Sequence, residues 1–366
     1  MQRLAKSLLV VALATAGLAG VYHAVGHLSS AAADSGRIEI WHGLEQRVGQ
    51  LGDAQDDFNL LGRVPEPDQL LSLQYGVNGD IPVELNFRAY RRLAADGHFN
   101  ADIPIASLEP GPNTIELEGR FLDGEVARRV VTVTRLSGAS PLPVTIDWAE
   151  VAEPQDVGQV VDGEWRLDQE GLRPAHVGYD RLFLIGERDW QDYEVTAEIV
   201  LHGVTAETGP FSGGNGLGLI MRFAGHTVGG YARFPIAQPK WGFQPFGAIA
   251  WLRWQRGVPD GPAVRQFLGG GAKTKADHGA VEVRTGERYM LKVLAQTLPD
   301  DADGRGVTRY AFKFWPAGAE EPAAWDWEEV HASRHALRSG GVGLLAHHVD
   351  VSFGKVTIVP LQPGLS

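Results

Sequence analysis

From Arg37 onward, apolar residues recur at every second position over short stretches, and Gly, Pro, Asn or Asp interrupts them roughly every 8 to 12 residues. Ile38-Glu39-Ile40-Trp41 alternates, as does Leu71 to Val77 ahead of the turn Asn78-Gly79-Asp80. Thr114 to Glu118 and Val130 to Thr134 do the same with β-branched residues. No stretch sustains a helical apolar period for three turns, so the pattern predicts an all-β chain. Glycine supports this: 46 of 366 residues, about 13% against a usual ~7%, suit a turn-rich protein. The length predicts two domains. Ser137 to Pro143 reads as a linker, giving domains at 37–136 and 145–361 with 137–144 between them.

Strands are predicted in the second domain at Tyr193–Leu201, Gly216–Phe223, Ala248–Trp254, Tyr289–Ala295, Tyr310–Trp315 and Val351–Val359. The segment 1–33 reads as an address. Arg3 and Lys6 precede an apolar run, Leu8 to Val21, and Ala31-Ala32-Ala33 supplies a cleavage site. The expectation is a bacterial protein exported to the periplasm, cell envelope or medium. The alternative is an uncleaved anchor, the only membrane contact expected. Zero cysteine excludes disulfides and thiolate chemistry. A net charge of -12 argues against nucleic acid as a partner.

Two resemblances follow from phrases in the sequence. Gly97-His98-Phe99-Asn100, Leu108 to Ile115 and Asp123-Gly124 resemble bacterial immunoglobulin-like domains, which implies an immunoglobulin-like sandwich over 37–136. Val161 to Leu167, Trp190 to Glu198, Gly218 to Phe223, Gly340 to Leu344 and Val351 to Ile358 resemble, in that order, the concanavalin A-like jelly rolls. The likeness is to laminin-G-like domains and the 3-keto-disaccharide hydrolase-like family, and covers 145–361. It departs at the start, where Trp165 follows Asp162-Gly163 instead of preceding them. The fold it implies is a jelly-roll sandwich; the role it implies is carbohydrate binding or processing.

Candidate chemistry is sparse. Glu187-Arg188-Asp189-Trp190-Gln191-Asp192 only approaches the E-x-D-x-x-E motif of laminarinase-type glycosidases, and no alginate-lyase string is present. No G-x-S-x-G elbow occurs, so a serine triad has no motif in its favour. Aromatic and cationic residues gather between Met221 and Arg256, where rings could stack on sugars and cations could take an anionic one. Arg222, Tyr231, Trp241, Arg253 and Trp254 are the expected ligand-binding residues, while Trp251 is assigned to the core by its alternation with Ile249. His347, His348, Asp350 and His226 are the candidates for catalysis. No cofactor is required, but laminin-G-like relatives imply calcium; Asp300, Asp301 and Asp303 are candidate ligands, although the D-x-[DN]-x-[DN]-G spacing is missing. The leading expectation is an exported carbohydrate-binding protein. The alternatives are a glycoside hydrolase or polysaccharide lyase, and a structural or adhesive protein with a protein partner.

Overall fold

The computed structural model describes residues 36–208, 212–228, 238–242, 246–270 and 274–361. Tyr231 and the segment 1–33 lie outside the described residues. The described chain is strands joined by turns and short 3-10 segments. Two β-sandwiches follow one another, and the all-β expectation holds.

The N-terminal sandwich faces a three-stranded sheet (Glu39–Ile40, Asp57–Arg63, His98–Pro104) with a five-stranded one. The latter runs Glu45–Val48, Val126–Arg135, Gly111–Phe121, Leu70–Val77, Val83–Glu84, with its first pair parallel. Alternation does what it should: Ile115, Leu117, Val131 and Val133 point inward with Phe58, Leu60, Leu73 and Phe99, and all are buried.

In the C-terminal sandwich a seven-stranded sheet packs on an eight-stranded one. The seven strands run in the order Gln159–Asp162, Arg181–Ile185, Gly341–His347, Gly214–Phe223, Ala248–Gln255, Ala263–Gly269, Lys275–Val281. At the centre of the other sheet, Val349–Pro360, Tyr193–Val204, Arg288–Leu298 and Gly306–Pro316 pair in turn. Between the sheets lie Leu217, Leu219, Met221, Ala248, Ala250, Leu252, Trp254, Leu344 and Ala346 with Val195, Leu291, Phe312 and Val356.

The opposite face of the seven-stranded sheet is also apolar. Val161, Leu182, Leu184, Ile220, Phe223, Ile249, Trp251 and Leu345 form a second cluster there. That face requires a cover. The N-terminal sandwich supplies part of it: Ala54 joins the cluster, and a buried polar network seals the seam. Arg92 bonds Asp102 through two nitrogens at 2.8 Å each and Asp162 at 2.5 Å. Asn100 donates to the Val161 carbonyl at 2.8 Å, and His226 meets Asp162 at 2.8 Å. The segment 238–242 threads the same seam. Lys240 pairs with Asp57 at 2.6 Å, and the Gln238 backbone exchanges hydrogen bonds with Glu84 and Asn86.

Burial in the N-terminal sandwich also affects two histidines near this seam. His42 and His98 are each pushed down to about 4 by desolvation, so both are neutral in the fold at pH 7. Unfolding returns them to an ordinary value near 6.5, so between pH 6.5 and 4 the unfolded chain binds more protons. Their contribution is therefore complete above pH 6.5 and is lost as pH falls toward 4. We expect urea unfolding midpoints to drop steadily from pH 7 to pH 4.5, by the equivalent of a few kcal/mol, and the double variant His42→Gln/His98→Gln to flatten that slope. A midpoint independent of pH over this range would contradict the assignment.

Candidate functional site

Because strand side chains alternate, the three central strands of the seven-stranded sheet send a second set of residues to its outer face. Register pairs Gly216 with Arg253 on one side and His347 on the other, and Gly218 with Trp251. Gly214, Gly216 and Gly218 therefore leave a bare strip on the middle strand, and larger neighbours lean over it. A Cβ on Gly216 would lie 2.7 Å from Arg253 Cδ and 3.0 Å from Trp251 Cε3; one on Gly218 would lie 2.5 Å from Trp251 Cβ. The result is a pocket of about 210 Å³ lined by Tyr179, Asp180, Ser212, Trp251, Arg253 and His347, with Phe246, Ile249 and Leu268 as apolar wall.

Three polar side chains in this pocket are in series. His347 Nδ1 lies 2.6 Å from Asp180 Oδ1, and His347 Nε2 lies 2.7 Å from Ser212 Oγ. Burial alone would raise the Asp180 carboxyl, but His347 and Arg181 outweigh it and hold it below its usual range. An ionised Asp180 fixes the proton on Nδ1, so in the neutral ring Nε2 is free to accept from the serine hydroxyl. That hydroxyl has a second acceptor, the Gly214 carbonyl at 2.5 Å. The Tyr179 ring meets the His347 ring edge-on at 4.8 Å. Asp180 and His348 both have left-handed backbones, with φ of +48° and +55°, strain that non-glycine residues carry mainly where the surroundings enforce it. Burial and the neighbouring His347 push His348 down to about 4, so it is uncharged at pH 7.

Arg253 completes the pocket. Its guanidinium lies 4.2 Å from the centre of the Trp251 ring. Burial pushes it down from its ordinary value, yet an arginine remains a cation. Its Nη1 is buried and has no hydrogen-bond partner among the described residues.

In two larger clefts, Arg135, Arg188 and Arg173 are paired with carboxylates. One of about 540 Å³ includes Asp53, Arg135, Glu187 and Arg188, with Arg135 paired to Asp53 at 2.8 Å and Arg188 to Asp56. Another of about 300 Å³ includes Asp168, Arg173 and Asp350, with Arg173 bound to Asp350 through two nitrogens at 2.7 and 2.5 Å.

Of the residues expected from sequence, the pocket gathers Arg253 and His347. His348 lies beside it, its ring 4.6 Å from that of His347. The others are elsewhere. Arg222 is fully buried at a bulge and bolts the two sheets together: it bonds Asp192, Thr297, Thr308 and the carbonyls of Gln191 and Leu337, so no ligand can reach it. The same Asp192 also accepts from the Thr297 amide, which makes it structural and removes the near-match to a glycosidase motif.

Trp254 is 3% exposed between the sheets, on the same side as Ala250 and Leu252, and so is core instead of ligand-facing; Trp251 is buried with Ile249 as its alternation predicts, in the cluster on the outer face that borders the pocket. Trp241 is buried edge-on against Tyr90 and pins the seam segment. His226 is buried in that seam, and Asp350 is held by Arg173. The acidic tip is neutralised by arginines: Asp300 by Arg338, Asp301 and Asp303 by Arg305. Asp301 also caps the amides of Asp303 and Arg305. No group of three or more metal-ligating side chains is present among the described residues, so the tip does not fit calcium.

Ser212, Asp180 and the pocket-lining position of Trp251 are not among the expected site residues. Ser212 and Asp180 lie 135 and 167 positions from His347, so no local motif could link them. The readable signal was glycine at 214, 216 and 218, a period of two that empties one face of one strand.

No protein-family model matches the sequence, and no curated protein matches it. Among solved structures the chain is similar to lectin I-B4 from Griffonia simplicifolia in its metal-free form, at 11% identity and TM-score 0.33, over 60% of this chain and 100% of that one. It is also similar to the metal-free Emp46p carbohydrate recognition domain (8%, TM-score 0.36, 60% and 95%). A third is xylan beta-1,4-xylosidase from Bacillus halodurans C-125 (9%, TM-score 0.38, 88% and 64%). At such values the likeness bears on neither ligand nor chemistry, and the site rests on its own geometry.

If the glycine strip makes the pocket, Gly216→Val should displace Arg253 and Trp251. We expect a stability loss of about 1–3 kcal/mol from overpacking and a Trp251 fluorescence spectrum shifted by the change in its cover. An unchanged spectrum and denaturation midpoint would contradict the packing described.

Proposed function

We propose that the protein is an exported carbohydrate-binding protein and that Arg253, Trp251 and His347 hold the ligand. The observation that carries this reading is Arg253 Nη1, a buried guanidinium nitrogen with no partner among the described residues, which costs free energy unless an incoming acceptor completes it. An oxygen-rich ligand supplies such acceptors. An acidic sugar fits best, because its carboxylate matches a cation that two-point hydrogen bonding can orient. The pocket, about 210 Å³, is smaller than the ~300 Å³ at which sites for drug-sized ligands begin, which suits one ring or substituent of a larger glycan. The two-carboxylate glycosidase alternative finds less support here, since Asp180 is the one carboxylate among the pocket's described residues and is committed to His347.

In this reading residues 1–33 direct export to a bacterial envelope or the medium, and the N-terminal sandwich is an immunoglobulin-like module that covers the binding sheet. The test is a glycan array on residues 34–366, followed by calorimetry on the best acidic glycan. Arg253→Met should weaken binding about 10- to 100-fold, the value of a hydrogen bond to a charged group. Its thermal midpoint should hold or rise, because a buried unpaired charge is gone. Equal affinity in the variant would remove Arg253 from the site.

A further inference from the structure

We infer that the pocket also hydrolyses carboxylic esters of carbohydrates, with Ser212 as nucleophile, His347 as general base and acid, Asp180 as its positioning residue and Arg253 facing the carbonyl oxygen. Glycan binding requires none of the first three to be in series, yet the Asp180–His347–Ser212 contacts are 2.6 and 2.7 Å, within the reach that proton transfer needs. Chain order differs between known triads, so the order Asp180, Ser212, His347 is no objection. The surroundings fit the task. Ser212 is followed by Gly213 and Gly214, and a Cβ on Gly213 or Gly214 would stand 3.8 or 3.4 Å from Arg253 Nη2, which places the guanidinium along the backbone that carries the nucleophile. A guanidinium whose Nη1 has no partner among the described residues, placed beside the serine, can stabilise the negative charge that a carbonyl oxygen would gain there. Phe246, Ile249 and Leu268 offer an apolar wall to a short acyl or alkyl group.

The reaction balances with water as the only co-reactant. Ser212 Oγ attacks the ester carbonyl carbon while its proton passes to His347 Nε2. Negative charge collects on the carbonyl oxygen at Arg253. Collapse breaks the bond to the alcohol oxygen, which leaves with the proton from His347, and the acyl group stays on Ser212. Water then gives a proton to Nε2 and its hydroxyl to the acyl carbon. The bond to Ser212 Oγ breaks, the oxygen regains the proton, and a carboxylic acid departs. When the ester is that of an acidic sugar, the product is the carboxylate that Arg253 would bind. Sugar specificity therefore rests on the binding reading, whereas hydrolysis rests on the serine, histidine and aspartate.

The test is labelling of the full chain with a fluorophosphonate, read by intact mass and peptide mapping, together with turnover of 4-nitrophenyl acetate. We expect one adduct, on Ser212. Ser212→Ala should remove it and reduce turnover at least 100-fold while the thermal midpoint moves by no more than a few degrees. His347→Gln should remove both label and turnover, and Asp180→Asn should slow labelling and alter its pH profile. No adduct on Ser212 in folded protein, or turnover equal to that of Ser212→Ala, would overturn the proposal. Calorimetry of Ser212→Ala with an acidic glycan separates the two readings: retained binding with no labelling of the wild type leaves the binding site standing and removes the hydrolase.

Discussion

The seven-stranded sheet has apolar residues on both faces, and the rest of the molecule is arranged around that fact. One face is satisfied by the eight-stranded sheet. The other would expose Val161, Leu182, Leu184, Ile220, Phe223, Ile249 and Leu345 to water if nothing lay over it. Arg92 brings the cover into place: it is buried, it reaches from the N-terminal sandwich to Asp162 at the edge of the sheet, and Asp102 balances it from its own side. Buried ion pairs contribute little net stability compared with apolar replacements, but losing one partner costs about 3–5 kcal/mol. The seam therefore specifies how the two sandwiches meet. It leaves the far end of the same face, around Trp251 and His347, to form the pocket.

Arg92 and Arg222 are saturated: the first by two aspartates and two carbonyls, the second by an aspartate, two threonines and two carbonyls. Arg253 is only half-buried as a residue, yet its Nη1 is shielded from solvent and has no partner among the described residues, and unlike the fully buried Arg181, whose Nε is also unpaired, it borders the pocket. In a low-dielectric setting such a group is costly, and it persists where a ligand or a developing charge repays the cost. The positive φ values at Asp180 and His348, next to the same pocket, show the same local departure from comfortable geometry.

Alternation in the sequence is enough to read the all-β class and the strands around Tyr193, Gly216, Ala248, Tyr289, Tyr310 and Val351, because burial on one or both faces leaves its period in the residues. Which face is buried against what is harder. Both faces of the Ala248–Gln255 strand are largely buried, so Trp251 and Trp254 look alike in sequence, and only tertiary packing decides that Trp254 lies between the two sheets and Trp251 in the outer cluster that borders the pocket. Arg222 and His226 looked available because their partners, Asp192 with Leu337 and Asp162 with the Gly242 carbonyl, are assembled by tertiary contact. Ser212 and Asp180 meet His347 for the same reason, so although His347 is legible in the sequence its two partners are not. The acidic tip at Asp300 failed in the opposite direction: a local pattern suggested calcium, and Arg305 and Arg338 answer its charge instead.

The most direct test of this account is a crystal structure of the chain grown with an acidic monosaccharide. The account predicts a carboxylate or hydroxyl oxygen within about 3 Å of Arg253 Nη1, with the Asp180–His347–Ser212 contacts intact beneath it. An empty pocket with Arg253 Nη1 bonded to a protein acceptor would contradict it, because the orphaned cation on which the site rests would then belong to the fold.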